Sequence, residues 1–154
     1  FKGTKRDLYE GGIRVPLLAW FPGHIKAGVT TDHVSAFWDM MPTFAGIIGC
    51  ELLGATDGIS FLPTLFSEEN QQAHNFLYWE FHEQGGRQAV RKDNWKLIRQ
   101  SISDEKGPWL ELYNLDKDIH EDTNLVTEEP EKAKELVDIM DKARTESKLF
   151  NFGK

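Results

Sequence analysis

Residues 5–16 read KRDLYEGGIRVP, a stretch in which a pair of glycines is flanked by cations. Glycine adopts backbone conformations that other residues avoid, so the pair predicts an unusual path within a surface loop at residues 1–12. In this loop Lys5 is a candidate ligand for an anion. The alternative, a loop that only leads into a strand, stays open for Lys5. For Arg14, a structural ion pair with Glu10 is the favoured interpretation.

Composition places the chain among ordinary globular proteins. Of its 154 residues, 40% are hydrophobic and 28% charged, which excludes a disordered or fibrous protein. Its apolar runs are far shorter than the ~20 residues of a membrane-spanning helix, so no membrane span is expected. The net charge of -7 argues against nucleic acid as a partner. Cys50 lies in an apolar run and is predicted to be buried and inert. Because the chain starts at Phe1 without a Met, we expect a piece of a longer protein.

Apolar spacing in the first half predicts one strand and one helix. Residues 15–21 are uniformly apolar and end at a Pro-Gly pair, which predicts a short strand buried on both faces. A half-buried helix is predicted to follow Asp39 as its N-cap and to end at Gly49. Residues 59–66 contain Pro63, so they are predicted to be irregular or a short helix rather than a strand.

The second half has the rhythm of an antiparallel sheet. Strands are predicted at residues 76–81, 88–92, 95–99 and 110–115, with a two-residue turn at residues 93–94. A final helix is predicted with Thr127 as N-cap, Pro130 in its first turn and one apolar stripe facing the sheet. The isolated chain is therefore predicted to be α+β, a small antiparallel sheet packed by a C-terminal helix.

The predicted hairpin at residues 87–99 carries a local excess of positive charge. A two-residue turn places Arg91 opposite Lys96, and directly opposed like charges are unfavourable without an anion or acid nearby. An anionic partner would relieve this repulsion. Alternatively, the counter-charge comes from acids of the chain itself, namely Glu80, Glu83 or the acidic residues within 116–135.

The end of the first predicted strand is a third candidate site. Residues 79–86 read WEFHEQGG, in which His82 and its polar neighbours stand beside aromatic rings, a surface suited to polar ligands such as sugars. The alternative, which has equal weight, is that His82 only caps the edge of a sheet. Known catalytic signatures, including the nucleophile elbow, the phosphate-binding loop and paired cysteine motifs, are absent. The five histidines are scattered, so we expect no metal site from this chain alone.

Several motifs, taken in order, resemble the C-terminal third of the type I sulfatases. They are the segment at residues 5–16, WFPG at 20–23, DMMPT at 39–43, DG at 57–58, QAVR at 88–91, NWKLI at 94–98 and ELYNL at 111–115. The resemblance covers nearly the whole chain. It implies an alkaline-phosphatase-like α/β parent enzyme that hydrolyses aryl or glycan sulfate esters, with residues 1–72 as the tail of its catalytic domain and residues 73–154 as a C-terminal subdomain.

The resemblance also implies the chemistry of the parent. Such enzymes use a formylglycine made from a Cys/Ser-x-Pro-x-Arg motif together with calcium. Both are expected upstream of Phe1, because Cys50 is followed by Glu-Leu-Leu, and this fragment is expected to bind neither. The family's sulfate-binding lysine stands four residues before the Tyr of Tyr-Glu-Gly-Gly, which is Lys5; the spacing of Lys2 is wrong. Arg6 stands where some members have Gly.

The expected function is thus that of a sulfatase C-terminal fragment, inactive alone, which requires the missing N-terminal domain of the same protein. His82 and Arg91 are candidates for contact with a sulfated small molecule or glycan. One alternative is a phosphatase or phosphonate hydrolase of the same superfamily, and another is a sulfated-glycan binding module. A periplasmic or extracytoplasmic location is expected from the resemblance.

Overall fold

A computed structural model describes residues 1–150 and 152. Its helices and strands, numbered in chain order, are α1 (Glu10–Ile13), α2 (Met40–Ile48), α3 (Leu62–Phe66), β1 (Leu77–Phe81), β2 (Arg87–Lys92), β3 (Trp95–Gln100), β4 (Trp109–Asn114) and α4 (Pro130–Ala143). They divide between two compact units. The first contains residues 1–15 and 76–154, and the second contains residues 16–75. The expected assignment of residues 1–72 and 73–154 to two parts of a sulfatase remains a prediction.

The first unit is built on a four-stranded sheet in the order β1-β2-β3-β4, with every neighbouring pair antiparallel. The predicted antiparallel sheet and its two-residue turn are confirmed. Asp93 in that turn has a φ of 53°, typical of tight hairpins. The register places Arg91 opposite Lys96, as expected from the turn length.

Helix α4 covers one face of the sheet. Its buried residues Ala133, Leu136 and Met140 form one core with three strand residues. These are Val90 of β2, Leu97 of β3 and Leu112 of β4. The predicted C-terminal helix and its apolar stripe are confirmed, with Pro130 in the first turn. The predicted cap is wrong, because the N-cap is Glu129 and makes no side-chain cap bond. The Glu128 and Glu129 amides both donate to the Leu125 carbonyl, so a turn occupies the residues before Pro130. The helix therefore starts too far along the chain for Thr127 to be its N-cap.

The N-terminal segment covers the other face. Leu8 is buried in a second core with Ala89, Ile98, Tyr113 and Leu115. The expectation of a plain surface loop at residues 1–12 is therefore only partly right. Its tip is exposed, while its base is part of the hydrophobic core.

The second unit contains α2 and α3. Helix α2 follows a 3-10 turn at Phe37–Asp39 and ends at Gly49 with a φ of 68°, as predicted. Asp39 is the N-cap residue, as predicted, but its side chain makes no cap hydrogen bond. The buried Asp39 carboxylate instead accepts hydrogen bonds from the Ala36 and Ile59 amides, at 2.7 and 2.9 Å, which join two loops.

Two further predictions in this unit are wrong. Residues 15–21 form no strand, and Leu18 and Trp20 are 94% and 88% exposed. A buried strand needs hydrogen-bonding neighbours, and the four described strands pair only with one another. Cys50 is exposed rather than buried, because it lies just beyond the end of α2. Within residues 1–150 and 152, no helix is long and apolar enough to cross a membrane.

Candidate functional site

Lys5 stands at the exposed tip of a tight turn at residues 4–7. The Asp7 amide donates to the Thr4 carbonyl at 2.9 Å, and the Thr4 amide donates to the Asp7 carboxylate at 2.8 Å. Arg6, the second central residue, has a φ of 80°. That conformation favours glycine in a turn, which gives a physical reason why some members of the resembled family have Gly at this position.

Strand β2 fastens the turn to the sheet through Arg87. Its Nη1 atom donates to Asp7 Oδ1 at 2.6 Å and to the Arg6 carbonyl at 3.2 Å. Its Nη2 atom donates to Gln84 Oε1 at 3.1 Å. Since the Arg87 side chain is only 12% exposed, these bonds fix the backbone next to Lys5 from a largely buried anchor.

The glycine pair is required by close packing. A Cβ atom on Gly11 would lie 2.5 Å from the Lys2 carbonyl oxygen, and one on Gly12 would lie 2.1 Å from the Asp7 carbonyl oxygen. Neither glycine has a positive φ, so the predicted unusual backbone path is wrong. The glycines let helix α1 press against the preceding segment and close the loop at its base.

A buried ion cluster holds the loop from below. Lys96 Nζ lies 2.9 Å from Glu10 Oε1 and 3.0 Å from Glu121 Oε1, and all three side chains are buried. The Glu121 carboxylate also accepts from the Glu10 amide at 2.7 Å. Burial raises the pKa of Glu121, and Lys96 opposes this shift. Acids of the chain itself therefore supply the counter-charge for Lys96, and one of them, Glu121, lies in the predicted acidic stretch at residues 116–135.

Lys2 and Lys5 have different environments. Lys2 Nζ donates to the Tyr113 hydroxyl at 3.1 Å and to the Glu121 carbonyl at 2.9 Å, and it lies over the Tyr9 ring at 4.4 Å. Lys2 is thus held by the loop and the sheet. Lys5 is exposed, and within the described residues no hydrogen bond or ion pair holds its ammonium group.

A shallow hollow of about 350 Å³ opens beside the turn. Its lining includes Lys5, Arg6, Gly12, Ile13, Phe81 and Glu83. Arg6 Nη1 and Glu83 Oε2 lie 3.6 Å apart at its rim, with both side chains largely exposed. The hollow therefore combines an apolar wall with two cations, Lys5 and Arg6, and two carboxylates, Asp7 and Glu83. Of the two carboxylates, Asp7 is already paired with Arg87.

The structure places His82 away from this hollow. His82 Nε2 lies 2.8 Å from Glu80 Oε1, and the ring stacks on Phe152 at 4.3 Å between centroids. Glu80 also receives the Arg144 guanidinium at 3.1 Å. His82 is consequently tied to the segment that follows α4, and its predicted contact with a ligand stays a prediction.

Arg91 also lies outside the lining of the hollow. Its Nε atom donates to the Asp93 carbonyl at 3.2 Å. Burial lowers its pKa, while the charge on Glu10 acts in the opposite direction. The favoured ion pair between Arg14 and Glu10 is present at 3.6 Å. The structure thus brings Arg91 toward the buried cluster, and its substrate contact remains a prediction.

The second unit has a polar cluster of its own. His74 Nε2 lies 2.8 Å from the buried Asp39 Oδ1. Burial lowers the pKa of His33, with Asp39 opposing. Across residues 1–150 and 152, no group of three or more His, Cys, Asp and Glu side chains is placed to hold a metal ion.

Sequence reasoning missed the anchoring role of Arg87 and the pairing of Glu10 with Lys96. Because successive side chains of a strand point to opposite faces, Arg87 and Arg91 of β2 lie on the face that the N-terminal loop covers. This alternation could have placed Arg87 near the loop once the register of β2 was known. The partner of Arg87 is Asp7, 80 positions away, and local spacing carries no information about such a pair.

Comparison with solved structures groups this α+β unit with the C-terminal part of alkaline-phosphatase-like sulfatases. Residues 3–148 match the family described as N-sulphoglucosamine sulphohydrolase, C-terminal, and the chain belongs to that family.

Relatives and solved structures agree with this assignment. Human arylsulfatase A is 37% identical over 147 residues, which are 81% of this chain and 28% of that protein. A protein solved in complex with its substrate D-glucosamine-2-N,6-O-disulfate matches 80% of this chain and 26% of its own, with a TM-score of 0.66 and 26% identity. The phosphonate monoester hydrolase of Agrobacterium radiobacter shares the fold, with a TM-score of 0.55 and 19% identity over 71% of this chain and 24% of its own. The chain spans between 18% and 27% of the length of the curated relatives it matches first.

Proposed function

We propose that the full-length protein containing this chain hydrolyses sulfate esters of aryl or glycan substrates, and that Lys5 contacts the sulfate group. The observation that carries this proposal is the exposed ammonium group of Lys5 on a turn whose base is fixed at several points. Membership of a sulfatase C-terminal family and similarity to arylsulfatase A support it.

Lys5 acts as a point charge carried by a preorganised backbone turn. An ammonium group beside the sulfate attracts its oxygens and stabilises the negative charge that develops on the leaving oxygen. Preorganisation matters because a charge already in place costs no reorganisation during the reaction. The bonds from Arg87 to the turn and the buried Lys96 cluster provide that rigidity.

The rest of the parent protein would supply formylglycine and calcium, as the resemblance implies. The described residues do not fit either group. They contain no cluster of three candidate metal ligands, and Cys50 lies outside a Cys-x-Pro-x-Arg motif. The proposal for this chain is therefore limited to sulfate binding by Lys5, and the chain alone is expected to be inactive.

The missing N-terminal part of the same protein is the proposed partner of this chain. Large apolar side chains of residues 16–75 are exposed, including Leu18, Trp20, Ile48 and Leu53. Apolar exposure on this scale is typical of a surface that another polypeptide covers. A periplasmic or extracytoplasmic location is part of the same proposal and rests on the family resemblance.

The experiment compares ester classes with the full-length protein, coexpressed with a formylglycine-generating enzyme. We expect turnover of an aryl sulfate in preference to the matching aryl phosphate and phosphonate monoester. A preference for the phosphorus esters would contradict the proposal and favour the phosphonate hydrolase alternative, whose fold is shared. Titration of the 154-residue chain with a sulfated oligosaccharide tests the binding-module alternative, for which we expect no detectable binding.

A further inference from the structure

Arg6 occupies a backbone position that is unfavourable for arginine. Its φ of 80° lies in the left-handed region, which is strained for a residue with a Cβ atom and readily adopted by glycine. The Arg6 carbonyl bond to Arg87 does not depend on the side chain, so a glycine would make it as well. What distinguishes arginine from glycine at this position is therefore the guanidinium group and its contacts.

The ion pair with Glu83 does not offset this strain. Arg6 Nη1 lies 3.6 Å from Glu83 Oε2, and the two side chains are 49% and 65% exposed. Pairs of such length and exposure contribute little to stability, because water screens the two charges. Because the pair is long and solvated, a stronger acceptor would displace Glu83 from Arg6 readily.

The location of Arg6 points to such an acceptor. Lys5 and Arg6 are the two central residues of one turn, and both line the same hollow. Phe81 contributes an apolar wall, which is suited to the carbon face of a sugar ring. An arginine fork is suited to paired oxygens of a tetrahedral anion.

We propose that Arg6 binds a second sulfate group of the same substrate, so that the hollow selects sugars with two sulfates over sugars with one. This specificity role rests on the proposed sulfatase function, in which Lys5 takes the sulfate that reacts. Glu83 holds Arg6 when no substrate is bound, and a second sulfate replaces its carboxylate.

The test uses the full-length protein with D-glucosamine-2-N,6-O-disulfate and D-glucosamine-6-O-sulfate as competitive inhibitors of aryl sulfate hydrolysis. The measured quantity is the ratio of the two inhibition constants. We expect the wild type to prefer the disulfate, and Arg6→Ala and Arg6→Gly each to reduce that preference about tenfold. Glu83→Gln should increase the preference, because the competing carboxylate is gone.

Matched variants separate this role from folding and from general electrostatics. Arg6→Gly relieves the backbone strain while Arg6→Ala retains it, so equal loss of preference in both assigns the effect to the guanidinium. Lys106→Ala removes an exposed cation outside the hollow and should leave the ratio of inhibition constants as in the wild type. An unchanged ratio in the Arg6 variants, with aryl sulfate still hydrolysed, would overturn only this inference. A wild-type protein that hydrolyses no sulfate would overturn the proposed function, and this inference with it.

Discussion

Arg87 Nη1 lies 2.6 Å from Asp7 Oδ1, and this bond ties the central sheet to the turn that carries Lys5. The same nitrogen reaches the Arg6 carbonyl at 3.2 Å. One side chain thus holds both a carboxylate and a backbone carbonyl within two positions of Lys5. If Lys5 binds sulfate as proposed, Arg87 is expected to act as a positioning residue through Lys5.

We expect Arg87→Ala to lower kcat/KM of the full-length protein for an aryl sulfate about tenfold, because the turn loses its anchor. Arg99→Ala is the matched control. Arg99 is also mostly buried and bonds Asp141 and Gln88, and neither partner belongs to the Lys5 turn. In a Lys5→Ala background, Arg87→Ala should have little further effect on kcat/KM. A full, additive loss in that background would contradict positioning through Lys5.

Replacement of Lys96 tests the buried cluster. Lys96→Met leaves Glu10 and Glu121 buried without their cation, so the free energy of unfolding should fall by about 3–5 kcal/mol. Denaturant unfolding of the 154-residue chain measures this, with Lys106→Met as the exposed control.

Because burial raises the folded-state pKa of Glu121, its ionisation costs stability above the unfolded pKa near 4.5, and the cost is recovered as pH falls. The loss in Lys96→Met should therefore be smaller at pH 5 than at pH 8; an equal loss at both would contradict this.

Gly12→Ala tests the packing of the loop. The added Cβ would meet the Asp7 carbonyl oxygen at 2.1 Å, and a backbone atom cannot move aside cheaply. We expect a loss of about 3 kcal/mol in the free energy of unfolding. Gly54→Ala is the control, since nothing lies within 4 Å of its added methyl group. Equal stability of the two variants would show that the loop base is loose.

These elements differ in how far sequence could predict them. The strands and α4 were predictable because their alternation, helical spacing and hairpin turn are local signals. Residues 15–21 were predicted wrongly because an apolar run forms a buried strand only when other strands flank it. The two glycines were recognised as special for the wrong reason, since the contact that excludes a Cβ atom is visible only after folding.

The Lys92–Glu135–Lys132 cluster predicts a pH dependence of stability. Bonds from Lys132 and Lys92 lower the pKa of Glu135 to about 2. The Glu135 carboxyl of the unfolded chain titrates near 4.5. The ionised Glu135, bonded to Lys132 and Lys92, therefore stabilises the fold above that pH, and this contribution is lost as pH falls toward 2. Glu135→Gln should therefore lower the unfolding temperature of the chain at pH 6 and converge with the wild type near pH 2. Glu105→Gln, an exposed acid, is the control; a constant difference at every pH would contradict this origin.

The most direct test is kcat/KM of the full-length protein for an aryl sulfate after Lys5→Ala, measured beside Lys106→Ala. If Lys5 supplies the cation that meets the reacting sulfate, its loss should reduce kcat/KM by about 100-fold to 1,000-fold. The Lys106→Ala variant should stay within about twofold of the wild type. Activity of Lys5→Ala in that same narrow range would contradict the assignment of Lys5 as the sulfate-binding residue.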